Sequence, residues 1–252
     1  MKFSFGALVN DHIRLDMCLR RSELDPDIPV RCHYNPISAV DGYNKILDVI
    51  EQQDGSDVAV LVHQDMYFRN GWLAQVEEQL ALLPESWIVA GVVGKCMEGK
   101  ICGKFHDMRI PLIFNTEGHH TFPQPASCFD ECVILVNMKK KFRFDTGLTG
   151  FDLYGTMAVC QAWEMGGTAW IIDAYAEHYC MRPFNWFPDK NFEAMFKWLH
   201  GRFPNAPRID TTVLGVPETP GPARYDKTAE ALHDLIEAAE EEAKTHAENV
   251  GS

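Results

Sequence analysis

No stretch of this 252-residue chain approaches the roughly 18 consecutive apolar residues of a membrane-crossing helix, so none is expected. Positive charge is also in short supply. Lys and Arg total 23 against 36 Asp and Glu, a formal net charge of -13. That balance excludes a protein that holds nucleic acid or an anionic membrane by a broad basic surface. It leaves an anionic substrate open, because a bound cation reverses the local sign. There is no Walker A motif, and no GxGxxG follows the first apolar run, which argues against P-loop NTPases and nicotinamide-dependent dehydrogenases. There is no GxSxG elbow, so an α/β-hydrolase is not expected. The eight cysteines lack the spacing of a zinc ribbon or finger. Met1 to Asn10 has no signal-peptide core and runs directly into charged sequence, so reduced thiols in a cytoplasmic setting are expected. No internal repeat is visible.

What is present has the size of one large domain, or of one domain plus an appendage, and is too little for two full enzymes; the strand-helix alternation over the first 94 residues indicates an α/β domain. Short apolar runs at Lys2–Val9, Val30–Tyr34, Val58–Val62 and Trp87–Val93 read as strands. Between them, Ile13–Arg21, Ser38–Ile50 and Trp72–Leu83 carry helical spacing. Ser38 can cap the second helix, and Val40, Tyr43, Leu47 and Ile50 share one of its faces. Val58–Val62 (VAVLV) is the continuous apolar run of a strand buried on both faces. Residues 95–127 show no period and read as a loop or small hairpin region. Further strands are expected at Glu131–Asn137 and Ala169–Ile172, and helices at Met157–Met165 and Asn191–His200. Pro204 to Pro222 holds five prolines and reads as an extended linker or strap over residues 204–225. From Asp226 to Ser252 eight acidic residues face two lysines, a balance of -6, while the other 225 residues carry -7. Leu232, Leu235, Ile236, Ala239 and Ala243 give this tail an apolar face, so residues 226–248 are expected to form an amphipathic helix that docks a partner or another copy.

A largely parallel sheet binds ligands at the carboxyl ends of its strands. Three polar sets fall at those ends: Asn10-Asp11, His33-Tyr34-Asn35 and His63-Gln64-Asp65. His63 and Asp65 are two apart, so in an extended segment both face one side. A carboxylate at the end of an apolar strand is costly to desolvate unless a positive group pairs with it. A divalent ion holding a diphosphate would serve, since Mg²⁺ and Mn²⁺ take one or two carboxylates plus phosphate oxygens. From spacing alone, a strand-end aspartate capping the following loop is the commoner case.

Several blocks carry more. Ser38-Ala39-Val40-Asp41-Gly42-Tyr43-Asn44-Lys45 and Val60–Trp72 (VLVHQDMYFRNGW), then FDECVILVN (Phe129–Asn137), FDTGLTGFDLYGTM (Phe144–Met157), QAWEMGG (Gln161–Gly167) and Ile172–His178, resemble family-2-like glycosyltransferases of the GT-A fold. The branch is the one with HQD where relatives have DxD, and the blocks keep their order from about residue 1 to residue 180. The resemblance implies a three-layer α/β/α Rossmann-like domain over residues 1–203, with a nucleotide-binding half at 1–94 and an acceptor half at 95–203. It implies a nucleotide-sugar donor, an acceptor hydroxyl on a glycan, lipid-linked glycan or protein, Mn²⁺ or Mg²⁺, and inversion at the transferred carbon. Carried over by position, Asp65, His63 and His178 would form the metal site. Asn10, His33, Asn44, Gln64, Asp130 and Glu131 would line the donor site.

One departure stands out. Met157 occupies the place where relatives carry an acid just inside the helix after the YGT segment. The nearest candidate base is then Asp152, with Asp130 and Asp145 behind it; Asp152 can equally be a helix-capping residue. Met157 also motivates a competing reading, a non-catalytic sugar-nucleotide-binding or scaffold protein of the same fold. A metal-dependent nucleotidyltransferase or hydrolase on a similar sheet is a third. Trp72, Trp87, Trp163 and Trp170 are expected in the core, and Trp186-Phe187 are candidates for an acceptor platform. His119-His120 and the basic run Lys139–Lys141 with Arg143 are expected to be solvated.

Overall fold

The computed structural model describes residues 1–107, 121–179 and 191–212. The first strand, β1 (Phe3–Val9), is flanked by β2 (Val30–Tyr34) and β3 (Val58–His63), both parallel to it. Between them run α1 (His12–Met17), α2 (Ala39–Val49) and a π turn over Ile50–Asp54 that closes on Gly55 in the left-handed region. The helix-capping expectation for Ser38 holds: its hydroxyl accepts from the Asp41 N–H at 3.3 Å. Tyr43, Ile46 and Leu47 are buried on α2's inner face. Each such side chain contributes about 1.5–3 kcal/mol on burial, which is why this helix needs no unusual propensity.

Beyond β3 come β4 (Met66–Tyr67), α3 (Trp72–Leu80), β5 (Trp87–Gly91), β6 (Val93–Cys96), β7 (Ile101–Gly103) and β8 (Phe105–Asp107). They are followed by β9 (Gln124–Phe129), β10 (Val133–Asn137), α4 (Tyr154–Glu164), β11 (Thr168–Ile171), β12 (Ala176–His178) and α5 (Phe192–Arg202). Nine strands form one sheet in the order β2-β1-β3-β10-β5-β11-β9-β6-β7. Six of them (β2, β1, β3, β5, β11, β6) run one way, and β10, β9 and β7 run the other. One face packs on α2, α4 and α5, the other on α1 and α3. The result is the expected three-layer α/β/α architecture with a mixed, mostly co-directional sheet.

Two features depart from the sequence reading. The stretch expected to be irregular, residues 95–127, supplies strands β7 and β8 and most of β9, with β6 ending inside it at Cys96. Its residues are mostly polar, small or cysteine, so neither alternation nor an apolar run marks them. The second departure is β10, which inserts antiparallel between β3 and β5. The two stretches 1–94 and 95–203 therefore interleave in one sheet. A second sheet, β4-β12-β8, sits at the carboxyl end of β3 and carries β12 to it.

The start of the Pro-rich segment crosses β6 and α4. Lys95 Nζ meets Asp210 Oδ1 at 3.0 Å, the Thr156 hydroxyl donates to the Asp210 carbonyl at 2.7 Å, and Arg208 holds the other Asp210 oxygen at 3.0 Å. The acidic tail 226–252 and most of the strap lie outside the described residues. Trp72 and Trp87 are buried in the core, whereas Trp163 and Trp170 are half-buried and packed against it. The basic run forms a short 3-10 turn over Met138–Lys140, and Arg143 pairs with Asp48 at 2.8 Å and with Glu51.

Candidate active site

The carboxyl ends of β1 and β3 are tied together by Gln64. Its Oε1 accepts from the backbone N–H groups of Asn10 and Asp11, both at 3.0 Å, and its Nε2 donates to Asn10 Oδ1 at 2.6 Å. Asp11 in turn caps α1, accepting from Ile13 N and Arg14 N. Asn10 is exposed and Gln64 half-buried, so together they form a polar rim where these two strands end.

Behind the rim lies the cluster. The β12 strand pairs with β4 so that His178 stands opposite Met66, and the Tyr179 N–H donates to the Asp65 carbonyl at 2.9 Å. This places His178 Nε2 3.2 Å from Asp65 Oδ1, with both side chains buried. Burial alone would raise the Asp65 pKa. The His178 imidazole, by charge and hydrogen bond, and then His63 outweigh it and hold the carboxyl well below the usual range. The rings of His63 and His178 are 5.5 Å apart, centroid to centroid. His63 Nε2 lies 2.9 Å from the Tyr154 hydroxyl, which donates to the Glu131 carbonyl at 2.8 Å. Burial keeps the Tyr154 phenol protonated well beyond its ordinary range. The structure thus brings together His63, Asp65 and His178, three residues expected to form the metal site.

It adds one that sequence reasoning missed. Cys132, at the start of β10, sits across from the end of β3, its carbonyl accepting the His63 N–H at 3.1 Å. Its Sγ lies 3.6 Å from His178 Nδ1. His63, Cys132 and His178 each offer a ligand atom, and these atoms all lie within 4.8 Å of one another, so the group can hold a metal ion. Only cross-strand register places Cys132 there, and nothing in its sequence neighbourhood signals a ligand.

A second polar group flanks the first through Tyr154. Asp130 Oδ1 accepts from Cys132 N at 3.1 Å, and Glu131 reaches the Gly155 N–H at the start of α4 at 3.5 Å. Burial, followed by the negative charges of Asp152 and Asp130, pushes the Glu131 carboxyl well above its usual range, and the Gly155 and Leu153 backbone N–H groups only partly offset this. Glycine at 155 is required: a Cβ there would stand 2.5 Å from the Phe129 carbonyl oxygen. The preceding Leu153 takes φ +69, a strained left-handed conformation for a leucine, at the turn that delivers Asp152 and Tyr154. Met157 is fully buried in α4.

Two further residues expected at the donor site have their own local partners. His33 is half-buried near Gly42, with the exposed Tyr34 beside it stacked on His12, ring centroids 5.0 Å apart. Asn44 is engaged with a loop. Both ends of its amide bond the backbone of Phe144, donating to its carbonyl and accepting from its N–H, each at 2.8 Å. It is a clamp between α2 and the loop before α4. Asn44→Ala is expected to cost about 1–3 kcal/mol, the loss of two partly buried hydrogen bonds. Urea unfolding measures this. Wild-type stability in that variant would contradict the clamp. The residues Trp186, Phe187, His119 and His120 lie outside the described residues.

No protein-family model matches the chain, and no curated protein matches it by sequence. Solved structures do match. The structure of Staphylococcus aureus TarS residues 1–349 in complex with UDP-GlcNAc aligns with a TM-score of 0.53 and 10% identity, covering 94% of this chain and 71% of that one. A second structure of S. aureus TarS 1–349 aligns with a TM-score of 0.50 and 11% identity, covering 82% of this chain and 66% of that one. The chain therefore spans about two thirds of that TarS segment. At such identity the likeness shows the fold, and the fold is the GT-A arrangement.

Proposed function

We propose that this chain is a glycosyltransferase that moves a sugar from a nucleoside-diphosphate sugar to an acceptor hydroxyl. The observation that carries the reading is the placement of His63, Asp65 and His178 together at the carboxyl end of β3 in a GT-A sheet. Ligands of open α/β sheets bind at that edge. The TarS structure of the same fold holds UDP-GlcNAc, which favours a nucleotide-sugar donor here. Asn10 and Gln64 form the rim that would meet the nucleotide, His33 flanks it, and Asp130 and Glu131 line the adjoining wall.

Transfer requires that the leaving diphosphate be neutralised and that the acceptor hydroxyl lose its proton. A divalent cation held by the histidine cluster would supply the first; Mn²⁺ or Mg²⁺ is what the sequence resemblance implies. Those ions prefer oxygen ligands, and Asp65 brings a carboxylate into contact with His178. For the second, Asp152 is the base in this reading. It is half-buried at the mouth of the α4 turn, next to Glu131, whose carboxyl is pushed up by burial and by the charges of Asp152 and Asp130. Direct attack by the deprotonated hydroxyl gives inversion.

The competing reading is a donor-binding protein without transfer activity. It is favoured by Met157, which fills with a buried thioether the place where an acid would stand. One experiment separates them. A panel of nucleoside-diphosphate sugars with divalent ions is screened by thermal shift, and the ligand that raises the melting temperature is then assayed for transfer and donor hydrolysis. The glycosyltransferase reading expects turnover that falls about 10²–10⁴-fold in Asp152→Asn, the range for loss of a general base. Binding with no turnover by the wild type leaves the non-catalytic reading standing, and no shift with any nucleoside diphosphate removes both. Among the described residues no helix is long and apolar enough to cross a membrane.

A further inference from the structure

The histidine cluster has a donor set that the expected ions do not suit. Two imidazoles and a thiol converge, and the carboxylate approaches the far side of one ring. Hard Mg²⁺ and Mn²⁺ favour oxygen, whereas imidazole and thiolate together select zinc-class ions. The spacing agrees. A tetrahedral ion with a metal–sulfur bond of about 2.3 Å and a metal–nitrogen bond of about 2.0–2.1 Å has a sulfur–nitrogen edge of about 3.6 Å. Cys132 Sγ and His178 Nδ1 are 3.6 Å apart.

The hydrogen-bond network assigns the ring nitrogens. The Tyr154 hydroxyl has one proton, and it goes to the Glu131 carbonyl. Toward His63 Nε2 the phenol oxygen can then only accept, so Nε2 carries the proton and Nδ1 is the ring's lone-pair nitrogen. His178 contacts Asp65 through Nε2 and Cys132 through Nδ1. In the metal-bound state the proton stays on the Nε2 that faces the carboxylate, which leaves the Nδ1 lone pair for an ion beside Cys132. His178 thus turns Nδ1 toward Cys132 and Nε2 toward the carboxylate, while His63 spends Nε2 on the phenol and keeps its other ring nitrogen for a metal ion. Metal-ligating histidines are held this way, the outward partner fixing the tautomer and orienting the ring.

We propose that His63 Nδ1, His178 Nδ1 and Cys132 Sγ bind a tetrahedral, thiophilic divalent ion of the zinc class, with Asp65 and Tyr154 as positioning residues behind the two rings. Cys132 binds as the thiolate, releasing its proton to solvent. Three protein ligands leave a fourth position for an external oxygen. His63 is half-buried while Cys132 and His178 are buried, so that position is reached from the His63 side. In the glycosyltransferase reading its occupant is a phosphate oxygen of the donor. The proposal rests on that reading for the fourth ligand alone. The choice of ion rests on the donor atoms.

The test uses the full chain stripped of metal and titrated with Co²⁺, a spectroscopic stand-in for Zn²⁺. The expected result is an intense visible band of tetrahedral cobalt and a thiolate-to-cobalt charge-transfer band in the near ultraviolet, both displaced by stoichiometric Zn²⁺. Cys132→Ser should lose the charge-transfer band, while Cys18→Ser, at another buried cysteine near Asp65, should keep it. Asp65→Asn and Tyr154→Phe should retain the band and weaken Zn²⁺ binding about 10–100-fold, the usual effect of removing an outer partner. A weak octahedral spectrum lacking thiolate character in the wild type would overturn the proposal without depending on any variant's folding. So would binding that vanishes in Asp65→Asn and persists in Cys132→Ser. A parallel thermal-shift series with nucleoside diphosphates and Mn²⁺ keeps the two readings apart. Nucleotide binding without a thiolate spectrum sinks the ion assignment alone, and a thiolate spectrum without nucleotide binding sinks the glycosyltransferase reading alone.

Discussion

In the glycosyltransferase reading, replacing His178 by alanine is expected to lower sugar transfer by about 10²-fold or more and to lower the melting temperature of the chain together. His178 is 3% exposed, and its two ring nitrogens face Asp65 Oδ1 at 3.2 Å and Cys132 Sγ at 3.6 Å. The substitution deletes a candidate ligand and also leaves Asp65, 7% exposed, as a buried acid without its principal cationic neighbour. Breaking a buried pair from one side costs about 3–5 kcal/mol. Here the lower end applies, because the carboxyl can take up a proton once the imidazole is gone and so shed its charge. For a chain of this size about 3 kcal/mol lowers the melting temperature by about 6–12 °C. Activity per folded molecule should fall by about 10²-fold or more, the loss seen when one preorganised electrostatic stabiliser is removed. Calorimetry and a product assay at a temperature well below the variant's transition measure the two effects separately. Transfer at the wild-type rate by folded His178→Ala would detach the cluster from the chemistry.

Arg69→Ala carries the second large effect, and it concerns the scaffold beneath His178. Arg69 forks onto Glu177, with Nε to Oε1 at 2.9 Å and Nη2 to Oε2 at 3.1 Å, while the Tyr179 hydroxyl donates to Oε2 at 2.6 Å. Glu177 is 4% exposed and stands one residue before His178 on β12. The guanidinium also lies over the Tyr67 ring, 5.0 Å from its centroid. Among the described residues, removing Arg69 leaves the buried carboxylate with the tyrosine hydroxyl as its remaining partner, so a loss of about 3 kcal/mol is expected. Arg69→Lys should recover little, because a single ammonium cannot reproduce the two-point fork. Replacing Arg69 and Glu177 together by leucine should recover much of the loss, since a well-packed apolar pair avoids the desolvation cost of both ions. Urea denaturation of the single and double variants tests the set, and a change below about 0.5 kcal/mol in Arg69→Ala, the level of an ordinary surface substitution, would show that the pair is not holding β12.

The rim of the site was legible in the chain itself, and its interior was not. Val58–Val62 ends at His63-Gln64-Asp65 because a strand buried on both faces must exchange apolar for polar residues where it leaves the core. The same argument put Asn10-Asp11 beside it at the end of β1. Asn44 shows what the chain alone does not give. Its two bonds to the Phe144 backbone, 100 residues away, appear only in the fold. Cys132 shows the opposite failure. It reads as one more small apolar residue before VILVN, and its importance comes wholly from standing across from His63.

Local pattern alone therefore determined the elements that repeat with a clear period: the first three strands, the capped helix after Ser38, and the strand-end polar sets. These follow from short-range rules, since burying one face of a helix or both faces of a strand leaves a mark every few residues. Tertiary structure decided the rest. The antiparallel insertion of β10 between β3 and β5 brings residue 132 to residue 63. The small β4-β12-β8 sheet brings residue 178 to residue 65, and the αL turn at Leu153 aims Tyr154 at His63. Which distant strands pair, and in what register, depends on the summed packing of the two faces. No residue carries that information by itself, so the cluster of His63, Cys132 and His178 exists only in the folded chain.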